Sequence, residues 1–259
     1  MSQNGVSLEA GEALVYEGRD LEAMAFAGNY HRWILDLFAP HLGTRLVEVG
    51  AGMGAFSELL LARRPESLAL VEPSSDMYRI LRGRMAGAGA GTQVSVYNST
   101  FAGVADEVMA ASRPDSILYV NVLEHIEDDE AELKLVREAL PEGGRLFIFV
   151  PALRWLYGGF DERVGHLRRY TKGELEEKCR RAGFRVVKSG YFDMLGVLIW
   201  WLKYRLLRSR EMEPGAVKFY GRFFVPLLRL AESTVRPPIG KNVFLVAEKA
   251  GAAAPDAGA

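Results

Sequence analysis

Residues 44–54 read TRLVEVGAGMG, an apolar run carrying one acid and then three glycines at alternate positions, and AFSELLLA follows at 55–62. The order is strand, glycine turn, helix. Glycines after a strand let the backbone approach a ligand closely and present amides at a helix N-terminus. Read as Gly50-x-Gly52-x-x-Ala55, with Glu72 placed 22 residues after Gly50, the stretch meets a relaxed dinucleotide pattern in which the acid holds a ribose. More than one ligand class uses such a turn, and this spacing alone does not choose between them.

Outward from the turn, short β-branched or leucine-rich runs recur: TRLVEV at 44–49, SLALVE at 67–72, TQVSVY at 92–97, DSILYV at 115–120 and GRLFIFV at 144–150. They read as buried parallel strands. Amphipathic stretches lie between them, as in 127–140, where Leu133, Val136 and Leu140 share one face. The alternation predicts a doubly wound α/β sheet. FRVVKSGYF (184–192) and KNVFLVAEK (241–249) supply a sixth and a seventh strand. Upstream, MAFAGNYHRWILDLF within 20–39 predicts an aromatic-rich helix that caps the sheet. The expected organisation is a helical cap (1–43), an α/β core (44–192), an inserted helical segment (193–240), a final core strand (241–249) and a low-complexity tail (250–259).

Composition narrows the function. The 32 Lys+Arg nearly balance 33 Asp+Glu, so no global field recruits nucleic acid. Cys179 is the only cysteine, which excludes an internal disulfide and a cysteine-built zinc site, and it reads as a half-buried helix residue. The N-terminal stretch has no basic start and no apolar segment of the secretory kind, and the expected location is cytoplasmic.

The connection 193–240 is too long and too apolar for a linker. Its eight basic residues against four acids give it a net charge of +4, and Trp200, Trp201, Tyr204, Phe219, Tyr220, Phe223 and Phe224 crowd the same segment. Interleaved basic and apolar side chains suit an interfacial helix at the inner face of an anionic membrane, or a lid over an amphiphilic substrate. A packed structural cap and a homodimer interface are the alternatives.

Three further features decide the reading of the turn: Glu48 two residues before Gly50, the third glycine at 54, and the later stretch DSILYVNVLEHIEDD. With LVEPSSDM, LPEGGRLFIFVPA and GHLRRYTKGELEEKCRRAGF, these resemble class I S-adenosyl-L-methionine (SAM)-dependent methyltransferases over residues 26–249, most of all small-molecule enzymes akin to the ubiquinone-biosynthesis O-methyltransferase group. The resemblance implies that Glu48, Gly50, Ala51 and Gly52 surround the amino-acid part of SAM and that Gly54 lets the helix start close by. It implies that Glu72 accepts hydrogen bonds from the ribose hydroxyls, while Pro73, Ser74 and Met77 border the adenine. Asn98 and Ser99 stand where the family often has an acid beside the adenine amine. Tyr30, on the upstream helix, and Asn121, after the fourth strand, complete the expected cofactor contacts.

SAM carries its methyl on a sulfonium, so the protein has mainly to hold the acceptor in line, and a base is needed only for a protonated acceptor. The expected acceptor is a small or lipid-linked molecule, methylated at oxygen. His125 follows the fourth strand at the ligand-binding edge of the sheet, and His166 lies in DERVGHLRRYTKGEL; both are candidate bases. Each also has a structural reading, as a helix-starting residue and as part of a solvated basic turn. Asp161, Arg169 and Tyr170 are the expected substrate contacts. In the ubiquinone group a Glu-x-x-Glu-His run is associated with a divalent cation, but Asn121 replaces its first acid, so no metal is expected. A non-catalytic SAM-binding or membrane-associated scaffold and an NAD(P)-dependent oxidoreductase are the rival readings.

Overall fold

A computed structural model describes residues 28–89, 91–206 and 214–251. Residues 20–27 of the expected upstream helix, 207–213 of the insertion and the tail beyond 251 lie outside the described residues.

The described strands are β1 (Arg45–Val49), β2 (Ser67–Val71), β3 (Gln93–Tyr97), β4 (Ser116–Val120), β5 (Arg145–Pro151), β6 (Phe184–Phe192) and β7 (Asn242–Lys249). They form one sheet in the order β3-β2-β1-β4-β5-β7-β6. The first five are parallel. β7 runs antiparallel to both of its neighbours, which closes the expected pair of late strands despite the long insertion between them. β1 pairs with β2 on one side and β4 on the other, so the chain winds outward in both directions from this point. A crevice opens beyond the carboxyl ends of strands at such a reversal, and the glycine turn sits there.

Successive side chains along a strand face opposite layers. In β1, Leu46 joins one apolar cluster while Val47 and Val49 join the other. The Leu46 layer is filled by α1 (Gly28–Phe38), α2 (Ser57–Leu61) and α3 (Ser75–Met85), through Trp33, Ile34, Phe38, Leu60 and Leu81. The opposite layer takes α4 (Phe101–Ser112), α5 (Asp129–Ala139) and α7 (Lys172–Arg181), through Phe101, Val108, Leu133, Val136 and Leu175. Cys179 is fully enclosed in this layer rather than half-buried, because it shares the inward stripe of α7 with Leu175. Burial pushes its thiol up to about 12.

Helix starts follow the local sequence. Asp128 caps α5 by accepting from the Ala131 amide, and acids at 129, 130 and 132 favour that end of the helix dipole. Thr171 and Glu174 form a reciprocal capping box at the start of α7. The stretch 151–170 contains a 3₁₀ turn at Arg154–Leu156 and the short helix α6 (Gly159–Arg163). The described parts of the insertion are mostly helical: α8 (Met194–Trp200) runs on into π-helical turns to Leu206, and α9 (Pro214–Phe219) continues through Tyr220–Phe224 into α10 (Val225–Thr234).

Candidate active site

The glycine turn is shaped by its neighbours. Gly50 and Gly54 have positive φ, and a Cβ at either would press into Val122 or Leu81, at 2.4 and 2.8 Å. Gly52 also has positive φ, but the space where its Cβ would stand is open, so its backbone faces a gap rather than packing. The Glu72 carboxylate accepts the amides of Gly52 and Ser74, each at 2.8 Å, and so ties the turn after β1 to the loop after β2. Each oxygen takes one amide, and an ionised carboxylate has about four acceptor positions, so capacity remains for a diol. Glu48, buried near the carboxyl end of β1, accepts a hydrogen bond from the Ser57 hydroxyl at 2.6 Å. Burial pushes its carboxyl up to about 8, against the pull of that hydrogen bond.

Around the second loop, Ser74 directly precedes α3 and Met77 is buried on that helix. The Asn98 amide group donates to the carbonyls of Glu72 and Pro73 at 2.9 and 3.2 Å, while its oxygen accepts from the Ser75 hydroxyl. Asn98 thus holds the Glu72–Ser75 loop from the end of β3, and Ser99 follows it.

A cavity of about 200 Å³ opens beside the turn. Gly50, Ala51 and Gly52 form one wall, with Tyr30 and His31 of α1 beside them; Asn121, His125, His166 and Arg169 form another. Asn121 has φ +55 and its amide donates to the Phe149 carbonyl at 2.7 Å, which turns the chain out of β4 toward His125. The Tyr30 hydroxyl lies 3.2 Å from Asp193 Oδ2 and 3.0 Å from Asn242 Oδ1. Phe160, Val164, Trp200, Lys241 and Asn242 also line the cavity and were not among the expected site residues. A signal for the last two was present: Lys241 and Asn242 are a polar pair immediately before the apolar run VFLVA.

The stretch 151–170 folds back over the 3₁₀ turn Leu123–His125 and brings the two histidines together, with ring centroids 4.8 Å apart. His125 Nδ1 lies 3.0 Å from the Gly165 carbonyl and donates to it. The His125 side chain is exposed at the cavity, yet desolvation by the surrounding protein, with His166 beside it, lowers its pKa to about 4. His166 Nδ1 lies 2.8 Å from Asp161 Oδ1, which also accepts from Arg169 Nε at 2.9 Å. Burial alone would raise the Asp161 carboxyl, but the hydrogen bonds and charges of His166 and Arg169 outweigh it and hold the group below the usual range. An ionised Asp161 accepts only, so His166 donates from Nδ1, and in a neutral imidazole Nε2 is then the acceptor. Tyr170 lies beneath the cavity rather than in its wall; its hydroxyl is 2.7 Å from Asp129 and 3.3 Å from the Leu123 carbonyl, which supports the turn bearing His125.

Glu124 is fully buried beside this pair, and neither of its carboxylate oxygens has a hydrogen-bond partner among the described residues. Burial pushes its pKa up to about 7, with His166 opposing. His166 Nε2 is 3.7 Å from Glu124 Oε1. Sequence spacing joined only Glu124 and His125 as metal-ligand types; the fold adds His166, and one ligand atom from each of the three lies within 4.8 Å of the others. A zinc-sized ion with bonds of about 2.1 Å requires ligand atoms no more than about 4.2 Å apart. The triad would have to contract to hold one.

A family model described as a methyltransferase domain matches residues 22–189, more than half of the chain. The chain belongs to this methyltransferase family. It is a SAM-dependent methyltransferase. Comparison with curated proteins gave no match. Among solved structures, phosphoethanolamine N-methyltransferase 2 from Haemonchus contortus, determined with SAM, is 15% identical over 92% of this chain, with a TM-score of 0.56. This chain spans 61% of that enzyme's length. A SAM-dependent methyltransferase from Thermotoga maritima is 20% identical over 89% of this chain and 95% of its own, with a TM-score of 0.53. A Haloferax volcanii chain solved with the Trm112 methyltransferase activator covers 92% of this chain and all of its own at 14% identity, with a TM-score of 0.58. At such identities the likeness is one of fold, and the strand order found here is the class I methyltransferase topology.

The methyltransferase's own residues fit SAM. Gly52 opens onto a cavity that a Cβ would narrow, and two buried acids stand behind the cavity wall, Glu48 in β1 just before the turn and Glu72 after β2, bonded to the Gly52 amide. Glu48 with Gly50–Gly52 would hold the amino-acid end and Glu72 the ribose.

Proposed function

We propose that this methyltransferase methylates an oxygen of a small or lipid-linked acceptor, with His166 as the base. The observation that carries the reading is the His166–Asp161 hydrogen bond at 2.8 Å, in the wall of the cavity that the glycine turn borders. When bound, SAM supplies an electrophilic methyl group, so the residues of this chain need only bind, orient and deprotonate the acceptor.

His166 Nε2 takes the acceptor's hydroxyl proton as the oxygen becomes nucleophilic, and Asp161 stabilises the imidazolium that results. Arg169, bonded to the same Asp161 oxygen and to the Ala152 carbonyl, keeps that carboxylate ionised and fixed. His125 is a poor competitor for the proton, since an imidazole with a pKa of about 4 is a weak base at pH 7. Its bond to Gly165 instead keeps the folded-back loop in place. Phe160, Val164 and Trp200 line the acceptor side and limit water there.

The test incubates the protein with methyl-labelled SAM and fractionated lysate and identifies the labelled product. A methyl ether supports the proposal; label only on nitrogen or carbon overturns the oxygen assignment.

A further inference from the structure

The insertion leaves a large apolar face uncovered. The helical run of α8 and the turns that follow it to Leu206 turns Val197, Trp200 and Tyr204 inward, and Trp200 reaches the cavity wall. Its outward side carries Leu198, Trp201, Leu202 and Leu206, all exposed. On the second helical run Val225 is buried, while Phe219, Phe223, Leu227 and Leu230 stand outward, the last two 68% and 71% exposed. Glu232 joins the two runs by accepting the amides of Asp193 and Met194 at 3.1 and 2.8 Å, and the Tyr220 hydroxyl donates to Asp193. Monomeric soluble domains rarely leave this many large apolar side chains together in water.

Basic side chains are interleaved with these apolar ones. Lys218, Arg222 and Arg236 are exposed on the same segment, and Lys203 sits beside Tyr204. No helix among the described residues is long and apolar enough to cross a membrane. A two-fold interface built from this face would place like charges against each other, whereas an anionic bilayer takes both the apolar side chains and the cations.

We infer that the outward face of residues 194–206 and 214–239 docks on an anionic lipid bilayer, with α8 serving both as docking element and as wall of the cavity. Trp200 inside and Leu198 and Leu202 outside belong to one helical run, so an amphiphilic acceptor meets the cavity at the element that touches the lipid. The inference rests on the exposed face, and its test requires neither SAM nor acceptor, so failure would leave the methyl-transfer reading standing.

The test is co-sedimentation of the full chain with phosphatidylcholine vesicles and with phosphatidylcholine–phosphatidylglycerol vesicles, at low and high salt. Binding to the anionic vesicles should fall on the order of tenfold or more at high salt and when Lys218 and Arg222 are changed to Glu. Leu227→Ser with Leu230→Ser, at exposed positions, should weaken binding while leaving the melting temperature within a few degrees of wild type. Absence of binding to anionic vesicles at low salt would overturn the inference, as would equal binding to both vesicle types. A concentration-dependent dimer that the Leu227→Ser, Leu230→Ser variant abolishes would overturn it in favour of a subunit interface.

Discussion

Asp161 Oδ1 accepts from both His166 Nδ1, at 2.8 Å, and Arg169 Nε, at 2.9 Å, so one carboxylate oxygen sets the tautomer of the proposed base and is itself held by a buried cation. The carboxylate is fully enclosed, which makes the arrangement rigid as well as polarised.

Asp161→Asn removes that control at little change in shape. An amide in its place can present an N–H toward His166 and favour the wrong tautomer. Turnover should fall on the order of a hundredfold or more, with SAM affinity nearly unchanged. Steady-state kinetics beside calorimetric SAM binding separate the two; a parallel loss of both would make Asp161 a folding residue instead.

Glu72 joins the loops after β1 and β2 through the Gly52 and Ser74 amides. Glu72→Ala strands both donors, a cost of about 1–3 kcal/mol each if they stay dry, and removes the proposed ribose acceptor. S-adenosylhomocysteine should raise the melting temperature of the wild type but not of the variant, while NAD and NADP raise neither. Stabilisation of the variant equal to that of wild type would remove Glu72 from the cofactor site.

The pH dependence of the ligand-free protein reports on Glu48. Its pKa of about 8 in the fold lies above the ordinary 4.5, so the fold prefers the protonated acid. That contribution is fully present below about pH 4.5 and is lost as pH rises through about 8, at up to about 1.4 kcal/mol per pH unit. Glu48→Gln keeps an acceptor for Ser57 but cannot ionise. Between pH 6 and 9 the wild-type melting temperature should drop relative to that of the variant. Parallel curves would mean that Glu48 is ionised throughout.

Chelation should leave activity unchanged. The Glu124, His125 and His166 ligand atoms are spread over as much as 4.8 Å, and His166 already holds Asp161 through its other nitrogen. Activity lost in EDTA and restored by magnesium would make the triad a cation site and displace His166 as the base.

Much of this architecture was legible because it is local. Buried runs such as SLALV and RLFIFV declare strands, and Glu48 and the glycines take their places from the strand-turn-helix order alone. Thr171 and Glu174 show a capping box three residues apart. The long-range parts were hidden. His166 meets His125 only because the 151–170 stretch folds back, with the Leu167 amide donating to the Glu124 carbonyl. Lys241, Asn242 and Trp200 enter the cavity because β7 returns between β5 and β6 after an insertion whose packing no periodicity reveals. Asn98 sits where family pattern suggests an adenine contact, yet its bonds to the Glu72 and Pro73 carbonyls are visible only in three dimensions.

The most direct measurement compares label transfer from methyl-labelled SAM into a lysate extract by wild type, His166→Ala and His125→Ala, with SAM binding followed in parallel. The account predicts a labelled methyl ether from wild type, a loss on the order of a hundredfold or more for His166→Ala, a loss of less than about tenfold for His125→Ala, and similar SAM affinity for all three. Full activity in His166→Ala would contradict it, as would SAM binding with no transfer by wild type into any fraction.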